Sequence, residues 1–180
     1  EAPFSAEDIA GIQRITVSNT AELSELELCK GLKRLTILSC DIDSLDFVAS
    51  MPKLESIGVK GCTLRDVSQI VKCSNIVMVD FSCNNIEDIS PLLRLPELLD
   101  VEVDGNPLCD NSFQFVLSEL KKPVDEYGLE RIVSGPDENS VQINRDLFRR
   151  GINVRMYMDK KEKNIVLQQM EWVYQMLAYG

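Results

Sequence analysis

Six cysteines, no histidine and 29 carboxylates are what this chain offers for chemistry. Without histidine it lacks the commonest general base and the commonest metal-binding imidazole. Thiol and carboxylate chemistry remain. No two cysteines stand in a Cys-x-x-Cys pair, which argues against zinc. Their spacing says more. Cys40 and Cys62 lie 22 residues apart, and further steps of 22 land on Asn84 and Asn106. Cys29 and Cys73 share a second column of that period with Met51 and Leu95. Four thiols therefore occupy positions that also accept Asn, Met or Leu. They read as packing or backbone-bonding residues and not as a reactive set. Cys83 and Cys109 lie outside these columns. Neighbouring strands are about 4.8 Å apart, close enough for a Cys40–Cys62 bridge, but side chains pointing the same way make its dihedral unfavourable. Six free thiols, mostly buried, are expected.

The columns belong to a longer frame. Leu32-Leu35-Ile37, Leu54-Ile57-Val59, Ile76-Val79-Phe81 and Leu98-Val101-Val103 each precede Cys40, Cys62, Asn84 or Asn106 by eight, five and three residues. Ile42, Leu64, Ile86 and Leu108 follow two places later. A fixed period of this length marks a stacked array, in which no single unit buries its own apolar face. Ile12, Ile15 and Val17 begin an earlier, shorter unit, with two residues missing after Thr20. Within each triplet the alternation is that of a strand, so Leu35 and Ile37 point inward and Thr36 outward. The chain must then turn, and an Asn side chain offers both donor and acceptor to the turn's backbone. Cys40, Cys62, Asn84 and Asn106 are thus a structural ladder, with the cysteines as weaker rungs.

Net charge is −10 over 180 residues, and −9 of it falls in residues 1–109. An acidic surface argues against nucleic acid and anionic membranes as partners. No apolar run is long enough to span a bilayer, so membrane insertion is not expected. No signal peptide is read in these residues, and an opening on Glu1 is expected of a processed or trimmed chain, one route to which is removal of a leader. No phosphate-binding, nucleophile-elbow or metalloprotease motif occurs. The chain reads as no enzyme, with no cofactor. Cys83, the one cysteine expected on the open sheet face, has no basic neighbour in sequence to activate it.

The outward positions carry segregated charge. Arg14, Lys33 and Arg34 fall at one end. Asp80, Asp100, Glu102 and Asp104 fall at the other, beside Val77, Met78 and Leu99. These seven make the candidate partner site: an apolar anchor with an acidic rim that would select a basic protein segment. Calcium is a poorer reading, because a flat sheet does not wrap six or more oxygens around an ion.

The ends read as caps. A short helix follows Ser5, and a second spans Ser112 to Lys122 with Phe113, Val116, Leu117 and Leu120 on one face. Residues 134–140 read as a loop, 152–158 as a strand with Ile152, Val154, Met156 and Met158 on one side, and 160–178 as a helix. That helix has two apolar stripes, one through Val166, Met170, Val173 and Leu177 and one through Trp172, Met176 and Tyr179. Self-association through it is a possible use. The expected division is a solenoid of about five coils in 1–109, with an N-terminal cap, and a capping helix plus small α/β extension in 110–180.

The repeats resemble leucine-rich repeats of the 22-residue type. The segment IEDISPLLRLPELLDVEVDGNPL (86–108) is similar to bacterial internalin repeats, and FSAEDIAGIQRITVSN (4–19) to the entry of that class. The resemblance implies an α/β fold: a right-handed solenoid with a parallel sheet on its concave face, a helical N-terminal cap and an α/β C-terminal cap. It also implies protein recognition by a bacterial surface or secreted protein. Free thiols point instead to a reducing, cytoplasmic setting. The alternatives are an intracellular scaffold resembling phosphatase regulators, or an enzyme housed in the extension.

Overall fold

The computed structural model describes residues 6–19, 23–109, 113–159 and 164–169. Helix α1 (Ala6–Ala10) leads into strand β1 (Arg14–Ser18). Strands β2 (Arg34–Leu38), β3 (Ser56–Lys60), β4 (Met78–Asp80) and β5 (Asp100–Glu102) follow at the predicted period. All pair in parallel with the neighbour before them, so Ile15, Leu35, Ile57, Val79 and Val101 form one inward row. Between strands the chain returns through 3₁₀ turns at Ser24–Leu28, Asp46–Ser50, Ser68–Lys72 and Ser90–Arg94. Strand β1 lies 20 residues before β2 but the first turn lies 22 before the second, so the missing pair falls between Asn19 and Leu23.

Sheet and turns enclose one core. Leu26, Val48, Ile70 and Leu92 from the turns are buried against Leu35, Ile57, Val79 and Val101 from the strands. Helix α1 closes the first coil, with Ile9 against the core. Its end lies so near the second coil that a Cβ on Gly31 would fall 2.2 Å from the Ala10 carbonyl oxygen.

The turn after each strand repeats as well. Asn19, Ser39, Gly61, Cys83 and Gly105 all have positive φ, one per coil. Gly61 and Gly105 adopt it freely, while the other three pay about 1–2 kcal/mol each in steric cost. This sharp turn points the following ladder residue inward. Asn84 Nδ2 donates to the carbonyls of Val59 (2.6 Å), Phe81 (2.9 Å) and Ser82 (3.2 Å), and its Oδ1 accepts from Cys62 N at 3.1 Å. Asn106 Nδ2 donates to Phe81, Val103 and Asp104 carbonyls, and its Oδ1 accepts from Ile86 N. Cys62 does the same at longer range: its Sγ accepts from Cys40 N at 3.3 Å and donates to Lys60 O at 3.3 Å.

The tail departs from expectation in three places. Residues 132–134 form strand β6 (Ile132–Ser134), which joins the sheet in parallel beside β5 as a sixth strand. The link from β5 is ten residues longer than a repeat because it carries helix α2 (Phe113–Leu120), which buries Phe113, Val116, Leu117 and Leu120 on the last coil. Only 135–137 of the expected loop remains outside regular structure, because helix α3 (Glu138–Arg149) starts at its end, capped by Asp137 Oδ1 accepting from Ser140 N at 3.0 Å. Strand β7 (Val154–Asp159) lies where a strand was expected, and its partner is antiparallel strand β8 (Asn164–Gln169). Residues 164–169 are thus not helical. Val166 fits either period, and pairing with β7 satisfies backbone groups that a helix would leave open on that strand. The rest of the predicted helix, at 160–163 and 170–178, lies outside the described residues.

Asn84 makes four buried hydrogen bonds, three of them to backbone carbonyls. Asn84→Ala should cost about 1–3 kcal/mol, and Cys40→Ala distinctly less, as read from urea denaturation midpoints.

Candidate functional site

The parallel register lays the open face of the sheet out in rows. One row runs Arg34, Ser56, Met78, Asp100, Ile132, and the next but one runs Thr36, Gly58, Asp80, Glu102, Ser134. Met78 is 41% exposed and Val77 stands beside it, also exposed. Leu99, Asp80, Asp100 and Glu102 are half-buried. The structure therefore brings six of the seven candidate residues onto one face. Asp104 differs: it is buried and accepts a hydrogen bond from Ser134 Oγ of β6. The strand that covers Asp104 adds a residue that the sequence pattern did not flag. Ile132 is 71% exposed and stands next to Asp100 in the Met78 row. Its only signal was an apolar pair, Ile132-Val133, too short for a periodic reading.

The electrostatics follow from crowding. Lys60 Nζ bonds Asp80 Oδ2 at 2.8 Å. Burial alone would lower the Lys60 pKa, but the Asp80 hydrogen bond and the charges of Asp80 and Glu102 raise it on balance. Burial pushes Glu102 above the usual carboxylate range; the charge and hydrogen bond of Asp80, and Asp104 nearby, push it further, while Lys60 opposes. At the other end Lys33 Nζ pairs with Glu55 Oε1 at 2.7 Å, and Arg14 and Arg34 are exposed.

The thiols divide as follows. Cys29, Cys40, Cys62, Cys73 and Cys83 are buried, and Cys109 is exposed; all six are free. Cys83 is buried, its Sγ lying against Gly105 of the next coil, and so is not exposed on the open face. It does have basic neighbours, Lys60 and Arg155. Burial still outweighs them, with Asp104 and Asp80 adding to it, and pushes the thiol up to about 12. Burial likewise pushes Cys62 up to about 12. Neither thiol is poised as a nucleophile.

Arg155 lies outside the apolar side formed by Ile152, Val154, Met156 and Met158, and the alternation of 152–158 does not mark it as buried. It is 1% exposed. Its guanidinium donates to the carbonyls of Asn84 (3.1 Å), Ile152 (3.1 Å) and Val154 (2.8 Å), and to Asn85 Oδ1. Asn85 continues a second polar ladder, through Thr63 to Asp41. The Phe148 ring lies between Arg155, 5.6 Å away, and Arg65, 5.4 Å away. Desolvation lowers Arg155 to about 10, so it stays charged at neutral pH. A buried cation satisfied by carbonyl oxygens ties strand β7 to the loop after β4. Among the described residues no helix is long and apolar enough to cross a membrane.

No family model and no curated protein matches the chain. Solved structures do. An internalin (inlF) from Listeria monocytogenes aligns with 20% identity over 74% of this chain and 38% of its own, at a TM-score of 0.56. An internalin C2 (inlC2) from the same organism aligns with 21% identity over 73% of this chain and 56% of its own, at 0.57. The chain thus spans well under two thirds of either structure. These likenesses, with the six-stranded parallel sheet, identify the fold as an internalin-like leucine-rich-repeat solenoid.

Two measurements check the site's chemistry. A thiol reagent should react quickly with one cysteine in the native protein, Cys109, and with six in denaturant. Because Glu102 is raised in the folded state, the folded chain binds more protons than the unfolded one above the ordinary carboxylate range. Its contribution to stability therefore falls as pH rises through that window. Glu102→Gln should raise the melting temperature at pH 7 and lose that advantage by about pH 4.

Proposed function

We propose that this leucine-rich-repeat solenoid is a noncatalytic binding module whose open sheet face recognises a protein segment bearing basic and apolar residues. One observation carries the reading. The register sets Met78 and Ile132, two exposed apolar side chains, on either side of Asp100 and beside Asp80 and Glu102. An apolar anchor within a rim of like charge suits a partner of opposite charge, and the rim steers encounter and excludes acidic competitors. Val77 and Leu99 widen the anchor. Asp104 contributes from beneath, through Ser134, rather than by contact. The absence of histidine and the raised thiols at Cys62 and Cys83 favour binding over catalysis. The internalin-like fold supports a bacterial surface or secreted setting for the same activity.

The test is direct titration of a fluorescent peptide carrying alternating lysine and leucine, followed by anisotropy. Reversing Asp100 and Glu102 together to lysine should weaken binding at least tenfold, about 1.4 kcal/mol or more. Unchanged affinity in that folded variant moves the site off this face.

A further inference from the structure

The outer face, made by the 3₁₀ turns, also carries a charge gradient, and it runs opposite to that of the sheet. At the first coils the turns expose Glu25, Glu27 and Asp46. At the later coils they expose Lys72 and Arg94. The sheet face reverses this order, with Arg14, Lys33 and Arg34 at the first coils and Asp80, Asp100 and Glu102 at the later ones. Among the described residues neither Lys72 nor Arg94 has a carboxylate partner. Beside them runs an apolar row at the same period: Val71 is 36% exposed, Leu93 41%, and Phe115 of α2, a further 22 residues on, 60%.

The outer face therefore presents what the open face is suited to take. A basic residue stands beside an exposed apolar one at the third and fourth turns, Lys72 by Val71 and Arg94 by Leu93. Rows on both faces advance by one coil, about 4.8 Å at the sheet. Two copies with parallel axes would keep every row in step. Lys72 and Arg94 of one would meet Asp80, Asp100 and Glu102 of the next, with Val71, Leu93 and Phe115 over Met78 and Ile132. Glu25, Glu27 and Asp46 would meet Arg14, Lys33 and Arg34. We propose that the outer face of one copy docks on the open face of a second, front to back. This rests on the reading of the open face as a protein-binding surface, and names a second copy as its partner. The contact uses two different faces, so it is heterologous and does not close as a pair. A net charge of −10 opposes association, so binding is expected in the micromolar to millimolar range, on the order of 4–8 kcal/mol.

Sedimentation equilibrium of the whole chain at about 0.15 M salt tests this, alongside the lysine–leucine peptide titration. Wild type should rise above its 20.3 kDa monomer mass with concentration and without a plateau at two. Lys72→Glu with Arg94→Glu, and separately Asp100→Lys with Glu102→Lys, should each remain monomeric, with melting curves showing that both fold. Mixing these two monomeric variants should restore association, because each keeps the face that the other has lost. A face-to-face dimer or a general charge effect would give no such rescue. Failure of the mixture to associate overturns the proposal. A wild type that stays monomeric while its open face still binds the peptide overturns the stacking alone, and assigns that face to a different protein. Loss of both overturns the reading of the open face as well.

Discussion

Every coil of this protein must bury the backbone of a sharp turn, and the side chain that satisfies that backbone sets the architecture. Asn84 and Asn106 each bond carbonyls on two coils. A buried, unpaired carbonyl or amide costs more than a formed hydrogen bond returns. The ladder position holds only Cys or Asn, at a constant step of 22 from Cys40 to Asn106. A left-handed residue stands just before each ladder position, at Ser39, Gly61, Cys83 and Gly105. Cysteine can occupy the position because its Sγ still accepts from the preceding rung, as in Cys62 to Cys40, though weakly.

Once the inward residues are committed to core and ladder, the outward ones are free to vary, and they do so in rows. The register converts charges far apart in sequence into neighbours: Asp80 and Glu102 stand side by side, with Lys60 bonded to the first. Burial raises the Glu102 carboxyl, and the crowding with Asp80 raises it further. The tail then edits the face. Strand β6 covers Asp104 and contributes Ile132, so the acidic rim is narrower and the apolar anchor larger than the repeat alone provides. Arg155, Phe148 and Arg145 fasten the tail along the loops that follow the strands, with Arg145 donating to the Leu108 carbonyl.

How far the sequence could be read depended on how often each signal was repeated. The ladder, the inward triplets and the turn columns appear in four or more aligned copies. They predict the five strands of residues 14–102, the core row from Ile15 to Val101 and the open-face placement of Met78, Asp80, Asp100 and Glu102. Helix α2 was legible from one amphipathic stripe. Cys83 was misplaced because its side chain is buried against Gly105 of the next coil, a contact that a strand pattern does not anticipate.

What the sequence determined by itself is the periodic part, because local alternation and a fixed step leave one way to stack the coils. What only the tertiary structure decided is everything that occurs once. Strand β6 is three residues long and takes its place from the open edge of β5. Arg155 can be buried because the Asn84 carbonyl, 71 residues away in sequence, and the Asn85 side-chain oxygen accept its hydrogen bonds. Residues 164–169 pair with β7 because that strand needs a partner. For β6 and Arg155 the deciding hydrogen bonds come from distant segments, and for residues 164–169 from the neighbouring strand, so none is encoded in the stretch itself.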